Sequence, residues 1–140
     1  MSRRVLELSD DLAAAVLVAA ARAYPLECCG LVEGLDTKEG WRVFAIHETK
    51  NVASDPRRAF LIDPQAQFDL MRALRGSERR VVGCFHSHPD GAPEPSATDR
   101  AGAYEVGFLY LIAAGGLETG FTLAAHLFTD ETGFTPIALA

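Results

Sequence analysis

His86 and His88 stand one residue apart at the end of an apolar run, and Ser96 and Asp99 follow across a loop rich in proline and glycine. Imidazole nitrogen and carboxylate oxygen are ordinary ligands for zinc. Side chains alternate across a strand, so both rings would face one side while Ser87 faces the other. Pro89 ends such a strand and Asp90-Gly91 begins a turn. Seven residues then separate His88 from Ser96, enough to bring the chain back over the strand end. Ser96 is a natural N-cap with Asp99 in the first turn of the next helix, and these two alone have the form of a capping arrangement. Together with the two histidines they point further, to three ligands, His86, His88 and Asp99, aimed at one metal ion.

Zinc held by two neutral imidazoles and one carboxylate keeps a fourth position for water, the catalytic kind of site. Its residual positive charge brings the pKa of that water toward about 7. A carboxylate nearby but off the metal could take the water's proton and deliver it to a leaving amine. Glu27, Glu48 and Asp63 are candidates, and spacing does not choose among them. Ser96 could donate a hydrogen bond to a developing oxyanion. The same ligand set also describes mononuclear iron oxygenases. Those are usually all-β, whereas helix and strand signals alternate here.

The elements that must hold this centre can be read in order. Ser9 or Asp10 caps a first helix that runs to about Tyr24, where Pro25 stops it. Leu31–Leu35 and Trp41–His47 form a hairpin, and Phe60–Ile62 a short strand. Asp63 caps a second helix with Pro64 at its first position. Phe68, Met71 and Leu74 line its apolar face, and Gly76 ends it. Val81–His88 is a buried strand, Ser96 opens a third helix reaching toward Tyr104, and Phe108–Ala113, Phe121–Phe128 and Phe134–Leu139 are strands. Alternating helices and strands with one hairpin predict an α/β fold, a three-layer domain with a mixed β-sheet flanked by helices.

The 140 residues suit a single domain, 1–140. A chain of that size buries roughly 70% of its unfolded surface, enough to fold without a structural metal. A net charge of −6 gives no electrostatic reason to expect nucleic acid. Arg72, Arg75, Arg79 and Arg80 form the densest basic cluster, read as a solvated helix end or, more sharply, as a docking patch for an acidic partner. Three cysteines, two of them adjacent, offer no disulfide framework and suit a reducing cytoplasm. Cys28, Cys29 and Cys84 are read as packed small hydrophobes, and His47 and His126 as ordinary surface or core histidines. The run AAAVLVAAARA is far shorter than the ~20 residues that span a bilayer, so a cytoplasmic protein with no membrane segment is expected.

His86-Ser87-His88-Pro89, a seven-residue gap, then Ser96 and Asp99, resembles the JAMM motif of MPN-domain zinc metalloproteases. Pro25-Leu26-Glu27-Cys28-Cys29-Gly30-Leu31 resembles the upstream element of that family that carries its catalytic glutamate. The resemblance covers roughly Val5 to Phe128 and is similar to the compact bacterial type. It implies zinc (Zn2+) on His86, His88 and Asp99, Glu27 as general acid/base, Ser96 assisting the oxyanion, and the cytidine-deaminase-like arrangement of a mixed sheet flanked by helices. It also implies hydrolysis of a peptide or isopeptide bond after the C-terminal Gly-Gly of a small ubiquitin-like or sulfur-carrier protein. MPN domains also occur as non-catalytic scaffolds, but those typically lack part of the ligand set. A homodimer is compatible with the sequence, which does not name the oligomeric state.

Overall fold

Side chains that can accept from free backbone N–H groups start each helix, as the capping residues predict. The computed structural model describes residues 4–103, 105–129 and 133–140. Ser9 Oγ accepts from Leu12 N–H at 3.2 Å where α1 (Asp10–Ala23) begins. Asp63 Oδ1 accepts from Gln65 N–H at 3.0 Å ahead of α2 (Pro64–Ala73). Ser96 caps α3 (Ala97–Gly102), and the expected reach to Tyr104 lies outside the described residues.

The strands are β1 (Val5–Glu7), β2 (Cys29–Thr37), β3 (Gly40–Thr49), β4 (Arg80–Pro89), β5 (Leu109–Gly116), β6 (Gly120–Thr129) and β7 (Gly133–Leu139). They form a closed barrel in the order β1-β3-β2-β4-β5-β6-β7. This overturns the three-layer α/β expectation, although the pairing is mixed. Closure depends on β1, three residues long and too short to show alternation in the sequence. Val5 pairs in parallel with Gly40 of β3 and with Ala138 of β7, joining what would otherwise be two edges of an open sheet. The helices also fail to make covering layers, since α2 buries no residue and α3 spans six.

Two apolar clusters pack on the two faces of the strands. Val16, Ala19 and Ala20 of α1 meet Val32, Trp41, Val82, Phe85 and Leu111 in the larger one. Leu31, Cys84, Phe108, Tyr110 and Phe134 form the smaller, against which Leu70 and Leu74 of α2 and Phe60 rest. The predicted apolar stripe of α2 is therefore corrected: Phe68 and Met71 are half exposed, and Leu70 takes the contact. Both stripes satisfy helical spacing, and only the neighbouring strands decide between them. Phe60–Ile62 contributes one bridge, Asn51 to Ile62, rather than a strand.

Two of the four arginines in the cluster are paired with acids. Arg79 Nε donates to the buried Glu33 at 2.5 Å, and Arg80 makes two 2.9 Å hydrogen bonds to Asp36. All three cysteines are buried and free. No helix among the described residues is long and apolar enough to cross a membrane.

Candidate metal centre

β4 is paired on both sides, antiparallel to β2 with Cys29 opposite His86 and parallel to β5 with His86 opposite Ile112 and His88 opposite Ala114. That pairing holds the strand rigid up to its last residues. His86 is fully buried, stacked on Phe60 with ring centroids 4.2 Å apart. The alternation expected of the strand is present, so both rings emerge on one side.

Asp99 reaches them from α3. Its Nε2 neighbours are His86 at 3.1 Å and His88 at 3.0 Å, both measured to Oδ2, and the two Nε2 atoms are 3.0 Å apart. The capping box is formed as well. Asp99 N–H donates to Ser96 Oγ at 3.0 Å, and Ser96 N–H donates to Asp99 Oδ2 at 2.9 Å. The helix cap and the converging triad are therefore one construction: the cap turns the carboxylate oxygen toward the rings.

The residues fit a metal ion. His88 Nδ1 faces Ala92 O at 2.8 Å. A carbonyl can only accept, so Nδ1 carries the proton and the neutral ring presents a lone pair at Nε2. That lone pair faces a carboxylate oxygen and a second imidazole nitrogen, so three atoms able to bind a metal converge on one point. Zinc–nitrogen distances of about 2.0 Å place tetrahedral ligand atoms about 3.3 Å apart, close to the spacing found. Burial disfavours charge on Asp99, but the two histidines beside it outweigh that and hold the carboxyl well below the usual range. Burial pushes the His86 pKa down. For His88 burial acts the same way, but Asp99 and the Ala92 carbonyl raise it overall. His86 Nδ1 has no hydrogen-bond partner among the described residues.

Glu27 lies beside this triad, just ahead of β2. Its carboxyl lines one cleft with His88, Ser96, Arg57 and Arg58. Burial pushes its pKa up to about 7, opposed by His88 and reinforced by Asp99. Oε1 is buried with no partner among the described residues, as suits a group that faces a water or a reacting atom. The other two acids considered are engaged elsewhere, Glu48 with Arg22 at 3.5 Å and Asp63 as the α2 cap.

Several residues that place Glu27 carry no obvious sequence signal. Ser87, between the two histidines and fully buried, accepts from Cys28 N–H at 2.8 Å. Asn51, in a stretch that reads as irregular, donates to Glu27 O and Ala59 O and accepts from Ala53 N–H and Leu61 N–H, each at 3.0 Å. An isolated asparagine followed by a loop is the only hint, since its amide can mimic a turn of backbone. His47 contacts Glu33 at 2.8 Å and His126 contacts Pro93 O at 3.0 Å. Neither joins the triad.

A mixed barrel whose central strand and a short helix converge two histidines and an aspartate beside a buried glutamate defines a candidate metallohydrolase centre. The chain belongs to the Prok-JAB family, the prokaryotic homologs of the JAB domain, whose profile matches residues 9–125. It is 39% identical over 90 residues to a desampylase of Haloferax volcanii, a match spanning 64% of this chain and 63% of that protein. Over 87 residues it is 32% identical to the tail tip assembly protein K of Escherichia phage N15, a match covering 62% of this chain and 32% of that protein. The matches thus span less than two thirds of either curated relative. Among solved structures, protein DSY2949 of Desulfitobacterium hafniense superposes with a TM-score of 0.83 at 25% identity, covering 97% of this chain and 92% of that one. A Salinibacter ruber protein superposes at 0.71 with 30% identity, covering 97% and 91%. The closed barrel removes the contrast drawn from helix–strand alternation with the all-β iron oxygenases. Family membership replaces it as the ground for preferring a hydrolase.

Proposed function

We propose that this chain is a zinc-dependent peptidase or isopeptidase that hydrolyses the bond after the C-terminal Gly-Gly of a small ubiquitin-like or sulfur-carrier protein. The observation that carries the reading is the convergence of His86 Nε2, His88 Nε2 and Asp99 Oδ2 within 3.1 Å of one another. The desampylase relative supports removal of an attached ubiquitin-like protein as the reaction class.

When bound by these three residues, zinc supplies a Lewis acid that polarises the scissile carbonyl and makes a water nucleophilic near neutral pH. Glu27 is suited to accept the attacking water's proton, because burial brings its pKa to about 7, near the value at which a group can both take and return a proton. The same carboxyl then passes that proton to the leaving nitrogen. Ser96 Oγ accepts from Asp99 N–H and keeps its own hydrogen free to donate to the developing oxyanion. Glycines in the substrate tail let its backbone approach β4 and Ser96 where a side chain would clash.

The test offers zinc-loaded protein a panel of small glycine-tailed proteins fused to a reporter, with products weighed by mass spectrometry. Cleavage after Gly-Gly, stopped by a chelator and restored by zinc, is the expected result. Intact fusions throughout, or cleavage indifferent to chelation, would overturn the reading.

A further inference from the structure

The loop between β4 and α3 is tied down at both ends by residues outside the triad. Tyr24 O–H donates to Asp90 Oδ2 at 2.6 Å. Asp90, at a φ of 56°, donates its N–H to Gly115 O at 2.7 Å. Further along, two consecutive carbonyls face two different histidines. Ala92 O accepts from His88 Nδ1 at 2.8 Å, and Pro93 O accepts from His126 Nε2 at 3.0 Å. His126 sits on β6, buried and paired in register with Tyr110 and Pro136, so the sheet fixes the backbone from which its ring extends.

We propose that His126 is a positioning residue for the metal centre. By holding Pro93 O it fixes the peptide segment that carries Ala92 O. That carbonyl in turn sets the tautomer of His88 and the direction of its Nε2 lone pair. The same anchored loop delivers Ser96 and Asp99 a few residues later. A ligand histidine is ordinarily steadied by a carbonyl or carboxylate on its second nitrogen. Here the steadying carbonyl lies on a loop, and the contact of the adjacent Pro93 O with His126 holds it between the ties at Asp90 and the cap at Ser96. Pro93 and Pro95 restrict their own φ but supply no N–H with which the loop could anchor itself. Tyr24 anchors the loop in the same way at its Asp90 end. This inference rests on the metal-centre reading above.

The experiment measures zinc affinity of the full chain by competition with a chromophoric chelator, together with the visible spectrum of the cobalt-substituted protein. It compares wild type, His126→Leu and His126→Gln. Leucine approximates the ring's volume without a donor, whereas the glutamine amide carries an N–H to about the position of Nε2. Leucine should weaken zinc binding about 10- to 100-fold and alter the cobalt bands, whereas glutamine should stay within about threefold of wild type. Unchanged affinity and spectrum in His126→Leu would overturn the proposal, as would a glutamine variant as weak as leucine. Should His126→Leu fail to fold, His126→Asn, whose amide falls short of Pro93, takes its place with the same expected loss. A wild type that takes up no zinc refutes the metal-centre reading itself. A wild type and a leucine variant that bind equally well refute only the role of His126.

Discussion

Ser87 Oγ accepts a 2.8 Å hydrogen bond from Cys28 N–H. The residue between the two ring-bearing positions is thereby joined to the residue that follows Glu27. The alternation of β4 makes this contact possible, because with both imidazoles on one face the Ser87 side chain must point to the other. Ser87→Ala leaves a buried N–H unpaired, which costs about 1–3 kcal/mol. Zinc binding should persist while turnover falls, because Glu27 loses its register against the triad. Denaturant unfolding and zinc titration check this; an alanine variant with wild-type stability would sink it.

Glu27 gives opposite signs for stability and activity. Its folded pKa is raised to about 7 from an unfolded value of about 4.3, so the folded state favours the neutral acid. The associated stability is complete below the unfolded value and is lost as pH rises toward 7. Glu27→Gln should therefore stabilise the metal-free protein above pH 7, by at most about 4 kcal/mol at 1.36 kcal/mol per unit and by less where solvent screens the carboxylate. The advantage should vanish near pH 4. Turnover should fall about 10²- to 10⁴-fold with zinc still bound. Melting curves across pH and single-substrate kinetics test the two halves separately.

Asp99→Asn keeps the shape of the side chain but removes the charge that both rings face. The two neutral imidazoles then have no anion to share a cation with. Metal analysis of purified protein should show zinc lost from the variant and present in wild type. Equimolar zinc in Asp99→Asn would remove Asp99 from the ligand set.

Glu33 is buried between His47 and Arg79. Burial raises its pKa, but those two partners outweigh it and hold it below the ordinary range. A depressed acid stabilises above its unfolded pKa and loses that contribution as pH falls through its folded value. Glu33→Gln should be less stable than wild type at pH 7, and the gap should close below about pH 4.3. A pH-independent gap would assign the loss to packing alone.

What the chain's order of residues determined was chemistry and local geometry. His86 and His88 two apart on a strand, Ser96 three before Asp99, and Glu27 after a proline-stopped helix are short-range patterns. Caps, alternation and φ restriction act within a few residues, so they are legible without coordinates. The strands from β2 to β7 and the caps at Ser9, Asp63 and Ser96 belong to this class.

Tertiary structure decided the rest, because it depends on pairings between distant residues. Whether Glu27, Glu48 or Asp63 lies beside the triad depends on the contacts of Cys28 with Ser87 and of Glu27 with Asn51, across 59 and 24 residues. Whether the sheet stays open depends on three residues of β1 finding both β3 and β7, a decision made by hydrogen-bond geometry that no periodicity announces. Which residues of α2 pack beside Leu74, the expected Phe68 and Met71 or the observed Leu70, was set by the strands beneath it. The elements were written in the sequence, but their neighbours were chosen by the fold.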